Sequence, residues 1–189
     1  MSNPRLPPGQ HTTIGWPRLD LGIVPRFDPK TWTLRVDGEV ETPTTLTWEQ
    51  FLALPKVELT ADFHCVTAWS RLDNRWEGVG FDTIVDLVHP KPAAKHVVFT
   101  CGDAGYTTNP PLDVLMDDDV VLAYRHDGKP LALDHGGPMR LVVPKRYGWK
   151  SAKWLRQVTF VEQDEPGYWE VRGYSNTADP WKDDRYSFS

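Results

Sequence analysis

Proline restricts this chain more than any other feature: 17 of its 189 residues are proline. Each one fixes φ near about −65° and removes a backbone donor, so it breaks helix interiors and central strands. The chain can therefore build only short elements joined by rigid turns. Pro4, Pro7, Pro8 and Gly9 block regular structure at the start, so residues 1–12 are expected to form an extended arm ahead of one domain over residues 13–189. With 40% hydrophobic residues there is material for one good-sized core.

Between the prolines the patterns favour strands. Residues 32–36 alternate apolar and polar and end at the turn Asp37-Gly38. Thr47 is placed to N-cap a helix over residues 48–54, with Pro55 as its stop. Residues 57–63 alternate again and deliver the chain to His64-Cys65, after which residues 69–80 read as a polar, Trp-containing loop. Helical spacing recurs at residues 81–88, and residues 97–100 read as a buried strand. A short helix is expected over 111–116, and a hairpin over 120–131 turning at Asp127-Gly128. Two more strands are expected over 140–143 and 154–161. Strands outnumber helices, which indicates an α+β domain with mixed or antiparallel sheets and not a βαβ array.

A net charge of −5 argues against nucleic acid or an anionic membrane as the main partner. No apolar run approaches the roughly 18 residues of a membrane span. The start MSNPRLPPGQ has neither a secretory h-region nor twin arginines, so the expected location is cytoplasmic. Two cysteines, Cys65 and Cys101, cannot make a disulfide framework or a four-thiolate zinc site. His89 and His96, seven apart around a proline-rich turn, give zinc little support.

Three spots carry candidate chemistry. Arg140, Lys145, Arg146, Lys150, Lys153 and Arg156 crowd one segment that has no acid among them. Such an island suits a phosphate held by side chains and by backbone donors at a helix start, with Ser151-Ala152-Lys153 as the capping segment. A solvated basic face explains the charge equally well. Cys65 sits at a strand-to-loop edge, where a cysteine serves as nucleophile, metal ligand or, most often, a small buried hydrophobe. His64 would point to the opposite face and is a poor partner for it. In His135-Gly136-Gly137-Pro138-Met139-Arg140, two glycines allow close approach of a ligand between flanking donors, although an ordinary Gly-Pro turn has the same look.

Four blocks in order resemble the molybdopterin-binding oxidoreductase domain of sulfite oxidases, plant nitrate reductases and bacterial methionine-sulfoxide-reductase catalytic subunits, in particular its short stand-alone prokaryotic members. They are WPRLDLGIVPRFDPKTWTLRVDGEVE, HCVTAWSRLDNRWEGVGF, YTTNPPL with VVLAYRHDGKPLALDHGGPMRLVVPKRYGWKSAKWL, and YWEVRGYSNTADPWKDDRY. The resemblance implies a molybdenum–molybdopterin cofactor with Cys65 as the metal's thiolate ligand. His135 and Arg140 fall on positions that contact the pterin phosphate. Ser151, Ala152 and Lys153 fall on the segment that wraps it, and Thr100 on a pterin-contacting position. Tyr174 resembles the active-site tyrosine of sulfite oxidases, and Arg71 is a second expected substrate-facing group.

The implied reaction is two-electron oxygen-atom transfer on a small oxyanion or sulfoxide-type substrate, with a separate electron-transfer protein. Sulfite oxidases place paired arginines soon after the metal cysteine, whereas here Arg71 and Arg75 come later and are spaced differently. That spacing weakens the expectation of sulfite itself, because a dianion is best met by convergent guanidinium groups. A non-catalytic pterin- or anion-binding module and a thiol hydrolase using Cys65 with His135 are the rival readings.

Overall fold

Short elements do form, and they assemble into two sheets. The computed structural model describes residues 3–188. In chain order these contain β1 (His11–Thr12), β2 (Thr33–Gly38), β3 (Thr44–Thr47), α1 (Trp48–Leu52), β4 (Val57–His64) and β5 (Trp69–Gly80). Then come α2 (Phe81–Val88), β6 (His96–Cys101), β7 (Thr107–Thr108), α3 (Leu112–Leu115), β8 (Val121–His126), β9 (Lys129–Pro130), β10 (Arg140–Val142) and β11 (Leu155–Val161).

Local chemistry sets the ends of these elements. Thr47 and Gln50 form a reciprocal capping box, Gln50 N to Thr47 Oγ1 at 3.2 Å and Thr47 N to Gln50 Oε1 at 2.9 Å, so α1 starts where the cap residue dictates. Phe81, Ile84 and Val88 make the buried stripe of α2. Asp127 and Gly128 turn the β8–β9 hairpin with φ of 47° and 77°, the positive pair that a two-residue hairpin favours.

The first sheet runs β1-β5-β8-β10, with β4 also on β5 and β9 on β8; the second runs β3-β2-β11-β6-β7. Two pairings are parallel, β1 with β5 and β2 with β11; the rest are antiparallel, so both sheets are mixed. Alternation gives the first sheet two apolar faces. Leu122, Leu141 and Val143 join the main core with Leu34, Val36, Phe99, Val158 and Phe160 of the second sheet. Val121, Ala123 and Val142 face the other way, onto Phe63, Cys65, Trp69 and Trp76. That second face carries the functional cavity. The architecture is a single α+β domain of mixed sheets with few, short helices.

One expectation fails outright. Residues 69–80, expected as a loop, form β5, the longest strand. Its pattern is disguised because buried polar residues stand where apolar ones would mark a strand. Asn74 donates to the carbonyls of Ala61 and Arg71, and Ser70 donates to Gln10 Oε1 at 3.0 Å. Gly78 belongs in the strand for a further reason: a Cβ there would lie 2.2 Å from the Leu122 carbonyl oxygen of β8. The arm is also fastened down. β1 pairs with β5, while Arg5 Nε bonds Asp62 at 2.9 Å and its Nη2 bonds Asp73 at 2.7 Å.

Candidate active site

Cys65 opens the turn between β4 and β5. Its N–H donates to the Trp69 carbonyl at 2.9 Å, and its own carbonyl accepts from Ala68 N at 3.1 Å and Gln10 Nε2 at 3.0 Å. Both backbone groups of Cys65 are thus held, and Ala68 completes the turn at φ 72°. The buried Sγ lies 3.1 Å from Thr67 Oγ1 and faces a cavity of ≈ 370 Å³. That volume suits a cofactor or a small ligand. His64 is turned away, its Nδ1 2.8 Å from Ser70 Oγ, so Cys65 and His64 form no dyad.

One end of the cavity is cationic. Arg140 at the start of β10 is 3% exposed, and it donates to the carbonyls of His135 at 3.0 Å and Ser151 at 2.8 Å. Its guanidinium stands 5.3 Å from the Phe63 ring and 5.7 Å from Trp16. Among the described residues no carboxylate pairs with it, and burial pulls its pKa down to about 10. Lys153 Nζ donates to the Leu19 carbonyl at 2.6 Å; burial, and then Arg140, bring its pKa to about 8. His135 stacks flat on Trp16, with centroids 3.9 Å apart and planes at 8°, and burial holds its imidazole below the usual range. Gly136, at φ 107°, makes this closeness possible, since a Cβ there would meet the Lys153 side chain at 2.9 Å.

Two carboxylates border that end. Asp103, in the turn after β6, is 3% exposed and its Oδ1 has no hydrogen-bond partner. Burial raises its pKa to about 6, against the opposing pull of Lys153. Asp20 Oδ2 is also buried without a hydrogen bond, although Arg18 Nε lies 3.0 Å away. Three further lining residues are aromatic. Trp149 and Trp169 lie 5.3 and 5.0 Å from Tyr174 and pack with Val66, the neighbour of Cys65. Burial, chiefly, keeps the Tyr174 hydroxyl above its ordinary pKa, with Tyr186 and Cys65 adding to the effect.

Of the residues singled out from the sequence, Cys65, His135, Arg140, Ser151, Lys153 and Tyr174 line this one cavity. Three do not. Arg71 bonds Asp127 at 2.7 Å and His126 Nε2 at 3.0 Å, its guanidinium 5.9 Å from the Trp16 ring. Thr100 lies in β6 between Gln157 and Thr107. Ala152 is buried in the main core and accepts from Leu141 N at 2.8 Å. Ser151 does not start a helix; it closes the 3₁₀ turn Gly148–Lys150 and its Oγ accepts from Val143 N at 3.0 Å. The donors at this end of the cavity are therefore side chains and not a helix N-terminus.

The resemblance marks residues 16–24 as a contact segment without naming single ligands there, and Trp16 and Asp20 reach the cavity from it; sequence reasoning missed Asp103, Trp149 and Trp169. Asp103 alone left a local signal, a carboxylate beside Gly102 directly after a buried strand. Among the described residues no three His, Cys, Asp or Glu side chains converge as a metal site. Any metal here would need most of its ligands from a cofactor, with Cys65 as the one soft protein donor.

The chain is 43% identical over 97% of its length to the "Uncharacterized oxidoreductase YuiH" of Bacillus subtilis, and the match spans 93% of that protein. It is 34% identical over 80% of its length to the "Putative protein-methionine-sulfoxide reductase subunit YedZ1" of Azospira oryzae, covering 57% of it. Among solved structures, the sulfane dehydrogenase SoxCD from Paracoccus pantotrophus superposes with a TM-score of 0.69 at 25% identity, over 75% of this chain and 41% of that one. The chain thus spans nearly all of one relative but little more than half, or less, of the other two. Residues 21–169 match the oxidoreductase molybdopterin-binding domain, and with a match over most of its length the chain belongs to that family.

Proposed function

We propose that the cavity holds the molybdopterin cofactor with its phosphate at the cationic end and Cys65 as thiolate ligand to molybdenum, and that it supports two-electron oxygen-atom transfer on a small sulfur-oxyanion or sulfoxide-type substrate. The observation that carries this reading is Arg140, a buried guanidinium with no carboxylate partner among the described residues. Burying an uncompensated charge is costly, and a bound anion offsets the cost.

The donor set fits the cofactor at three points. Arg140, Lys153 and His135 suit a phosphate. The unpartnered Oδ1 of Asp103 suits an N–H group of a pterin ring. A buried thiol suits a soft metal. When bound, the cofactor supplies the two-electron redox chemistry.

The chain's own residues bind and orient. Arg140 anchors the anion, and Trp16 shields it on the side where it stacks on His135. Tyr174 keeps its proton at neutral pH and so presents an O–H donor to the substrate oxygen. Trp149 and Trp169 exclude water. In the reductive direction the S–O bond breaks, two electrons and two protons are taken up, and water leaves. In the oxidative direction water supplies the oxygen and the same electrons and protons are released. A separate electron-transfer protein delivers or removes the electrons.

The test is molybdenum and phosphorus content by plasma mass spectrometry, on protein made in a host that synthesises the cofactor. Wild type should hold about one molybdenum per chain, as one cavity with one thiolate requires. Cys65→Ser should fold but lose or loosen the metal and lose turnover. Metal-free, well-folded wild type would sink the proposal. Metal-loaded wild type without turnover by artificial electron donors or acceptors would favour a non-catalytic binding module.

A further inference from the structure

Behind Trp149 of the cavity wall lies a buried ion pair that this reading does not use. Lys150 Nζ stands 2.6 Å from Glu170 Oε1, with side chains 1% and 2% exposed. The same carboxylate oxygen accepts from Trp149 Nε1 at 3.0 Å and Thr108 Oγ1 at 3.3 Å. The ammonium also donates to Asn109 Oδ1 at 3.1 Å. A pair of this kind adds little stability over well-packed apolar residues. What it does fix is Trp149, whose indole N–H can reach the carboxylate in one ring orientation. Trp149 then meets Tyr174 edge to face at 72°, and Tyr174 meets Trp169.

These three rings wall the cavity beside Cys65, and none of the four basic lining residues belongs to that wall. Arg140 and Lys153 stand at the cationic end, bonded to the carbonyls of His135, Ser151 and Leu19 and assigned above to the phosphate. Arg18 sits against Asp20, and His135 against Trp16. Arg185, which donates to the Val66 carbonyl, is also bonded to Asp183 at 2.6 Å.

We propose that Glu170 is a positioning residue that holds Trp149 as one wall of an aromatic box, and that this box selects an uncharged sulfur centre, a sulfoxide or thioether with small apolar substituents, over a sulfur oxyanion. The inference rests on the oxygen-transfer function proposed for the same cavity. Ring faces and edges give favourable contact to polarizable sulfur. A dianion would give up its hydration there with no convergent cationic donors to replace it.

The experiment uses cofactor-loaded protein with molybdenum content measured in every sample. Dimethyl sulfoxide reduction by reduced methyl viologen is compared with sulfite oxidation by ferricyanide, and binding of dimethyl sulfoxide and of sulfite is followed by calorimetry. Wild type should bind and turn over dimethyl sulfoxide in preference to sulfite. Glu170→Ala should raise KM and Kd for dimethyl sulfoxide roughly tenfold, the value of one or two sulfur–aromatic contacts, while kcat and molybdenum content hold. Glu170→Gln, which still offers an acceptor to Trp149 Nε1, should restore most of that affinity.

If Glu170→Ala does not fold, the paired Lys150→Met/Glu170→Ala variant, which leaves no unpartnered charge, carries the same expectation. Preference for sulfite in molybdenum-loaded wild type would overturn the selectivity and leave the parent function standing. Unchanged KM in the alanine variants, or no rescue by glutamine, would overturn the positioning role. Wild type without molybdenum would overturn the parent function and the selectivity with it.

Discussion

Arg140 and Lys150 are ten positions apart and both buried, one lining the cavity and the other behind Trp149 of its wall, and the protein treats them in opposite ways. Lys150 has a carboxylate at 2.6 Å and an amide oxygen at 3.1 Å. Arg140 has the backbone carbonyls of His135, Leu141 and Ser151 and the faces of aromatic rings, and no carboxylate among the described residues. Burial lowers the pKa of both, but only at Lys150 does a carboxylate push back. A cation that is satisfied internally serves the architecture. One left short of a counter-ion inside a cavity is set up for a ligand that brings the negative charge.

The contrast breaks most visibly at the satisfied pair. Lys150→Met leaves Glu170 ionised and buried, and should cost about 3–5 kcal/mol of stability, read as a lower urea midpoint. Lys150→Met/Glu170→Gln should recover most of it. Arg140→Met is expected to behave in the reverse manner. Cofactor-free protein should be as stable as wild type or more so, whereas cofactor affinity should fall about 10- to 100-fold, the value of charge-assisted bonds. Molybdenum retained after dialysis reads this directly, and a destabilised cofactor-free variant would contradict the assignment.

Lys153 gives a smaller, pH-dependent effect. Its pKa in the folded protein is about 8, against an ordinary 10.5. Between those values the unfolded chain holds a proton that the folded chain has released, so the stability of cofactor-free protein rises with pH across this window. Anion binding favours the charged form, so cofactor retention should weaken as pH climbs above about 8. Lys153→Met should flatten both slopes. Asp103 gives the smallest effect. Its pKa rises from 3.8 to about 6, so stability from this group falls as pH rises through that interval. Asp103→Asn should remove the slope in thermal melts of cofactor-free protein between pH 4 and 6.

The same contrast explains what was legible in the sequence. The strand and helix patterns were readable wherever apolar residues carried the period, as in α2, which spans Phe81–Val88 with its stripe buried. They failed at β5, where Ser70 and Asn74 take inward positions through long-range hydrogen bonds. Arg140 stood out because six cations without an acid is a local fact. Glu170 did not, because its partner is 20 residues away and nothing nearby separates it from a solvated glutamate. Arg71 drew attention as a cation near Cys65, yet its partners His126 and Asp127 lie in a distant hairpin. Charge that is left over can be read locally, whereas charge that has been paired off by folding cannot.

The strand order of the second sheet also bears on how the molecule comes into being. Its central member, β11, is the last strand among the described residues, flanked by β2 and β6. During vectorial synthesis the two halves of that sheet wait, edges open, until residues 155–161 emerge. Trp169 and Tyr174, which finish the cavity, arrive later still. The pocket thus closes only once residue 174 has emerged, so any cofactor must load after both sheets and the segment that follows β11 have been made.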